Sequence, residues 1–185
     1  MTPTTPSGDA RRGGAAGADQ ALEPFEALFR AEFRTMFRLA HLLGAADPED
    51  IAQEAFARLH TRWPSLSDPA RAGGYLRTTV VNLCRSAARH EAVEARYDAA
   101  QPVQRAESSA EDAALQSVSD RSLLAALGAL APRHREALVL RFWLDLSEAQ
   151  MAEAMACSAG SVKSHVSRGL KALRAALKDI PEGQR

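Results

Sequence analysis

Residues 147–177 read SEAQMAEAMACSAGSVKSHVSRGLKALRAAL, and the spacing of polar and apolar groups in this stretch decides the fold. Ser147 with Gln150 three residues on is a capping box, in which each side chain serves the other's free amide, so a helix opens there and runs to Met155. Ala156, Cys157 and Ser158 make a short turn, and a second helix is predicted from Ala159 to about Lys178. In that helix Val162, Val166, Leu170, Leu173 and Leu177 form one buried stripe, which leaves Lys163, Ser164, Ser167, Arg168 and Lys171 projecting outward. Two helices joined by a tight turn, the second starting with small polar residues, are the layout of a helix-turn-helix. Ala159, Gly160 and Ser161 let the helix end approach a phosphate closely while its free amides face the anion.

The charge distribution supports that layout. The chain of 185 residues carries 23 Lys plus Arg against 23 Asp plus Glu, so the strongly basic signature of the simplest nucleic-acid binder is absent. The balance is local as well as global over residues 22–97, with ten basic and ten acidic side chains. Residues 159–178, in contrast, hold Lys163, Arg168, Lys171, Arg174 and Lys178 and no acid. Arg174 and Lys178 suit the C-terminal end of a helix dipole, but Lys163 and Arg168 lie too early to gain from it, and a negative partner is the economical reason for them. His165 reads as a bystander on this helix.

Upstream the pattern is helical throughout. Residues 1–21 are Pro, Gly, Thr, Ala and charge with little to bury, and read as a disordered tail. From Phe25, the residues Phe29, Phe33, Met36, Ala40 and Leu43 recur at helical steps until Gly44, which suits a left-handed cap. Asp47 and Pro48 open a second helix with Ile51, Ala55, Phe56 and Leu59 that stops before Pro64, and Trp63 joins Phe56 and Leu59 as core. Residues 64–74, PSLSDPARAGG, read as a shaped loop, followed by a helix with Leu76, Val80, Leu83 and Ala87 on one side. Residues 97–118 hold one Arg against Asp98, Glu107, Glu111 and Asp112 and read as a linker. A flexible chain of that length spans on the order of 25 Å, so the bodies it joins need not touch. Helical signals then resume at Leu123, Leu127 and Leu130, and again from Pro132 through Phe142. No segment alternates with period two, so the fold class is all-α: two small helical domains, residues 22–96 and 120–180, joined by a flexible linker at 97–119, the second being the helix-turn-helix.

Other classes are excluded on chemistry. Cys84 and Cys157 lie far apart without CxxC spacing, so neither a disulfide framework nor a four-ligand zinc site is readable, and a reducing cytoplasm is the expected location. No apolar run is long enough to cross a bilayer and the first residues lack a secretory core, so no membrane insertion is expected. There is no Walker loop, HExxH or EF-hand pattern, and the five histidines have no metal-ligand spacing. The chain is read as no enzyme, with no cofactor and no metal.

At this point the residues resemble a known family. The stretch at 147–177 is similar to the C-terminal DNA-binding domain of the small extracytoplasmic-function sigma factors of bacterial RNA polymerase, in the sigma-70 family. DPEDIAQEAFARLHTRW, residues 47–63, resembles the polymerase-binding helix of their first domain, and YLRTTVVNLCRSAARH, residues 75–90, resembles the helix that reads and opens the −10 element. Together these motifs cover roughly residues 22–178. The resemblance implies a factor that docks on core RNA polymerase, captures the melted −10 element with the first domain and reads the −35 element as duplex with the second. It also implies promoter DNA as a partner and an anti-sigma factor as a further one.

Carried over by position, the resemblance assigns Asp50, Gln53 and Glu54 to polymerase, where they offer an acceptor-rich patch to a basic partner. Asp50 equally suits the first turn of its helix. Arg77, Asn82, Arg85 and Arg89 fall to the −10 strand, with the loop from Pro64 to Gly73 as a pocket for an extruded base. Tyr75 stands where the family has an aromatic residue, with packing as its expected role. Arg141, Ser161, Lys163, Ser164, Ser167, Arg168 and Lys171 fall to the −35 duplex, Lys163 or Arg168 reaching a base edge while the serines, Lys171 and Arg141 hold phosphates.

Three departures from the family pattern stand out. The arginine run after the −10 helix is thinned, Arg89 and Arg96 being separated by Glu91 and Glu94. Ala156 replaces the usual turn glycine, where a left-handed alanine costs about 1 kcal/mol. Ser161 replaces a common threonine and keeps the hydroxyl. Two other readings stay open on sequence: a stand-alone helix-turn-helix regulator, which leaves the N-terminal motifs without a purpose, and a sigma-like adaptor that binds only protein.

Overall fold

The computed structural model describes residues 13–66, 68–97 and 118–178; the first twelve residues, Ser67, most of the expected linker and the last seven residues lie outside the described residues. Seven α-helices are seen among the described residues: α1 Gly13–Leu43, α2 Pro48–Arg62, α3 Ala72–Tyr97, α4 Val118–Gly128, α5 Pro132–Leu138, α6 Glu148–Met155 and α7 Ala159–Lys178. No strand occurs among the described residues, so the all-α expectation holds.

Local signals set most of the boundaries. Gly44 ends α1 at φ +85°, a conformation open to glycine because it lacks a Cβ. The carboxylate of Asp47 accepts from the amide of Asp50 at 2.9 Å and Pro48 takes the first position of α2, as their sequence predicts. Both capping-box bonds of α6 are made, Ser147 N to Gln150 Oε1 at 2.9 Å and Gln150 N to Ser147 Oγ at 3.3 Å.

Two boundaries differ from the sequence reading. Helix α1 begins at Gly13, inside the stretch expected to be disordered, and it runs through Pro24. Ala15, Ala16, Ala18 and Ala21 give that stretch the residue type that resists helix formation least. The Gly73–Gly74 pair belongs to the first turn of α3 rather than to the preceding loop, which itself contains two short 3₁₀ turns, Trp63–Ser65 and Pro69–Arg71. Asp68 caps the second of these, accepting from the amide of Ala70 at 3.0 Å, and the chain passes from that turn into α3.

In the N-terminal half α1, α2 and α3 pack around Met36, Leu39, Leu59, Leu76 and Val80, all fully buried. Phe25, Phe29, Phe33, Phe56 and Trp63 extend this core as an aromatic pile, with Phe25 edge-on to Trp63 at 5.4 Å and to Phe56 at 6.3 Å between centroids. In the C-terminal half Met151, Met155 and Val162 are buried between α5, α6 and α7. Helix α7 approaches α5 closely at Gly169, where a Cβ would stand 3.0 Å from Leu138 Cγ and 3.1 Å from the carbonyl oxygen of His134. Only glycine lets α7, with its outward cations, lie this near α5.

Helix α5 continues into a π-helical turn, Val139–Trp143, that buries Val139 and Leu140 and leaves Phe142 exposed. The two halves are in contact: α3 lies against α6, α1 touches α5, and one continuous apolar cluster runs from Met36 to Val162. The linker arithmetic allowed separate bodies, and the apolar residues at the seam bring them together.

Ala156 occupies the left-handed position at the C-cap of α6, at φ 49° and ψ 54°, so the strain anticipated for the missing glycine is present. Ala156→Gly is therefore expected to raise stability by about 1 kcal/mol, read as a shift in the midpoint of chemical denaturation; an unchanged midpoint would show the turn to be relaxed.

Candidate nucleic-acid interface

Helix α7 carries five cations and no acid. Lys163, Ser164, Ser167, Arg168 and Lys171 are exposed on it, while Val162 is buried and Val166, Leu170 and Leu173 are packed against the core. The stripe and the face thus separate as the periodicity predicts. Arg168 and Lys171 have no acidic partner among the described residues. Lys163 does have one, Glu148 in the first turn of α6, at 3.5 Å. A surface pair of that length contributes little and is easily exchanged for another anion.

The start of α7 is partly self-satisfied. Ser158 accepts from the amide of Ser161 at 3.1 Å, and the two hydroxyls lie 2.9 Å apart. Ser164 donates its hydroxyl to the carbonyl of Gly160 at 3.1 Å, leaving its oxygen free to accept. Arg141, in the π turn, donates to the carbonyl of Leu146 at 3.0 Å and so holds the segment that leads into α6. Arg141 itself stays exposed.

His165 faces inward rather than out. Its ring lies 5.9 Å from that of His134, and its Nδ1 is buried without a hydrogen-bond partner. Burial holds its pKa below the usual histidine value, and the neighbouring His134, Arg133 and Arg168 push the same way against the opposing charge of Glu136.

On α2, Asp50, Gln53 and Glu54 are all exposed on one side, as expected for neighbours at helical spacing. Gln53 donates to Glu49 at 3.0 Å and Glu54 pairs with Arg58 at 2.7 Å, both within the helix. The patch is open to a partner.

The four residues of α3 do not share one environment. Asn82 and Arg89 are exposed, Arg77 is half-buried beside Gly73, and the Arg85 side chain is only 16% exposed. Arg85 makes a two-pronged ion pair with Glu136 of α5, at 2.7 Å and 2.9 Å, and also donates to Asn82 Oδ1 and to the carbonyl of Met155. Tyr75 is half-buried, with the Arg62 guanidinium 5.6 Å above its ring. Cys84, which immediately precedes Arg85 on α3, has its thiol pushed up to about 12 by burial first and by the charge of Glu136 second.

Several residues that matter at this seam have no motif in the sequence. Glu136 reads there as one acid in PRHREALVL, although an acid running directly into four apolar residues is a signal that it is carried inward. Arg133 donates to Glu136 at 3.1 Å and to the Met155 carbonyl at 2.9 Å. Arg135 donates to the carbonyls of Leu43, Leu127 and Gly128, thereby satisfying the C-terminal ends of both α1 and α4.

Both halves of the chain are similar to known proteins. The family model described as Sigma-70 region 2 matches residues 28–93, and that described as Sigma-70, region 4 matches residues 120–173. The RNA polymerase sigma-E factor of Streptomyces coelicolor is 35% identical over 153 residues, spanning 81% of this chain and 84% of the relative. The ECF RNA polymerase sigma factor SigL of Mycobacterium tuberculosis is 32% identical over 178 residues, spanning 92% of this chain and 97% of the relative. In fold, the chain is similar to the sigma factor RpoE solved in complex with the anti-sigma factor NepR from Bartonella quintana, with a TM-score of 0.70 at 22% identity over 85% of this chain and 98% of that one.

The environment of His165 has a measurable consequence. A histidine kept neutral by the fold binds a proton more readily once unfolded, so its contribution to stability is full above the ordinary value of 6.5 and is lost as the pH falls below it. Denaturation curves from about pH 7.5 down to about pH 5.5 should show this loss, and His165→Gln should reduce it; equal losses in the two proteins would remove His165 as the cause.

Proposed function

We propose, for a chain that belongs to the sigma-70 family of RNA polymerase sigma factors, a division of labour between its two halves: α2 docks on core polymerase, α3 captures the melted −10 element, and α7 reads the −35 element as duplex. The chain's function is that of its family, directing core RNA polymerase to promoters so that transcription starts. Sigma factors are not enzymes, and the chemistry of this family is recognition.

The cationic face of α7 carries this reading. Arg168 and Lys171 stand in water without an internal counter-charge, on a helix whose other side is buried, and a phosphate backbone supplies the charge they lack. Lys163 exchanges Glu148 for the DNA, and Arg168 or Lys163 reaches a base edge. Ser161, Ser164 and Ser167 lie along the same edge of the helix as phosphate partners, and Arg141 supports the turn or takes a further phosphate.

On α2, Asp50, Gln53 and Glu54 form an acceptor-rich patch on a short, well-capped helix, which suits a basic partner surface. On α3, Asn82 offers both a donor and an acceptor to an unstacked base, with Arg77, Arg85 and Arg89 as cations for the strand. The relative from Bartonella quintana was solved with an anti-sigma factor, and an inhibitor of that kind is a proposed partner here. No helix among the described residues is long and apolar enough to cross a membrane, and the proposed location is the cytoplasm.

Two experiments test the assignment. Lys163→Ala should weaken binding of the holoenzyme to a −35 duplex and flatten the dependence of affinity on salt by about one unit of slope; an unchanged slope removes the phosphate role. Replacing Gln53 and Glu54 together by Ala should lower assembly with core polymerase about tenfold or more at unchanged helical content; undiminished assembly would place the docking surface elsewhere.

A further inference from the structure

One acid stands on the surface that the cations of α7 define. Residues 147–178 hold two acids, Glu148 and Glu153, both on α6 and both exposed. Five positions apart on a helix, they point about 140° away from each other. Glu148 reaches across to α7, its Oε2 lying 3.5 Å from Lys163 Nζ, and both side chains are open to water, at 49% and 67% exposure. The capping box of Ser147 and Gln150 and the buried Met151 fix the turn that carries it. A carboxylate in the first turn of a helix suits the dipole, but the dipole does not ask it to lean over the neighbouring helix. On a surface turned toward phosphates an acid is repelled unless a donor stands beside it.

We propose that Glu148 is a specificity residue of the −35 site: with Lys163 it reads the orientation of one base pair, Lys163 taking a carbonyl acceptor and Glu148 the exocyclic amino group next to it. The inference rests on the reading of α7 as the −35 reader with Lys163 at a base edge. In the major groove guanine shows the O6 acceptor and cytosine the N4 amino donor, while thymine shows the O4 acceptor and adenine the N6 amino donor. Within each base pair the carbonyl and the amino group are hydrogen-bonded to each other, so acceptor and donor lie side by side about 3 Å apart. The ammonium and the carboxylate are set at 3.5 Å, a matching separation. One Lys–Glu pair thus meets one carbonyl–amino pair, and partners are exchanged on both sides.

The exchange is favourable in one orientation only. With guanine or thymine facing Lys163, each charge leaves the other for a group of opposite polarity. When the base pair is inverted, the ammonium meets the amino group and the carboxylate meets the carbonyl, and Lys163 is better satisfied by Glu148. Against a phosphate backbone without the right base pair, releasing Lys163 strands Glu148 among anions, so the acid costs most where the sequence is wrong. Lys171, with no acidic partner among the described residues, meets phosphate whatever the sequence. Glu148 therefore adds discrimination to a face whose other charges add affinity.

The test uses holoenzyme assembled from the full chain and a pool of duplexes randomised over the −35 site. Sequencing the bound fraction reads a base preference at every position for the native chain, Glu148→Ala, Lys163→Ala and Arg168→Ala. At one position the native chain should favour guanine opposite cytosine, or thymine opposite adenine, over the inverted pair. Glu148→Ala should lower that preference about fivefold or more, at the position that Lys163→Ala also alters, and leave the others as they were. Where Lys163→Ala and Arg168→Ala change the selection but Glu148→Ala changes nothing, acts at another position or acts on all positions alike, the inference is overturned and α7 remains the reader. Where none of the three changes the selection, the assignment of α7 to the −35 duplex fails, and the inference with it. Should Glu148→Ala not fold, Glu148→Gln takes its place: its amide both donates and accepts, so the gap between the two orientations should close, and an undiminished gap overturns the proposal.

Discussion

A carboxylate taken out of water must be met by positive charge and hydrogen bonds, and at Glu136 that requirement ties the whole molecule together. Its two oxygens are satisfied by Arg85 from one half and Arg133 from the other, and the same two guanidiniums close off the Met155 carbonyl at the end of α6. The arrangement of α3 against α6 is therefore set by polar geometry as well as by apolar contact. Hydrophobic burial alone is non-directional and would tolerate some sliding; a forked ion pair does not.

Around that seam the two halves keep distinct characters. The first is an aromatic and aliphatic core under three helices, with its acceptor-rich patch on the outside of α2. The second is thinner, and depends on close backbone approach: Gly169 lets α7 sit against α5, and Ala156 accepts a left-handed conformation so that α6 can turn sharply into α7. Both devices serve one end, which is to hold α7 rigidly with its cations outward. A rigid helix gives up less freedom on meeting a duplex than a loop would.

Much of this was legible before any coordinates. The capping box at Ser147, the Asp47–Pro48 start and the Gly44 stop are local signals, and local signals survive into the structure because they act within one turn of chain. The buried stripe of α7 and its cationic face follow from periodicity for the same reason. What was not legible depends on residues distant in sequence. Arg85, in NLCRS, reads as a cation for a nucleic-acid strand and Glu136 as an ordinary helix acid, and only the meeting of α3 with α5, 51 positions later, makes them partners. Equally, sequence shows Arg141 as an outward cation, which it is, but not that one of its terminal nitrogens also holds the Leu146 carbonyl from the π turn. The α1 boundary differed because low hydrophobicity argues against order, whereas alanine's tolerance of helix argues for it, and the structure follows the alanines.

Arg135 carries a consequence of a different kind. Its guanidinium fills the space that a side chain at residue 44 would need, and it terminates α1 and α4 at once by reaching Leu43, Leu127 and Gly128. Position 44 is thus answerable to a residue in the other half of the chain. A chimaera that grafts a foreign C-terminal half onto this N-terminal one inherits an empty notch unless the graft brings its own arginine, and the reciprocal graft meets a collision unless it brings a glycine. The two halves recombine as modules only when that pair of positions travels together.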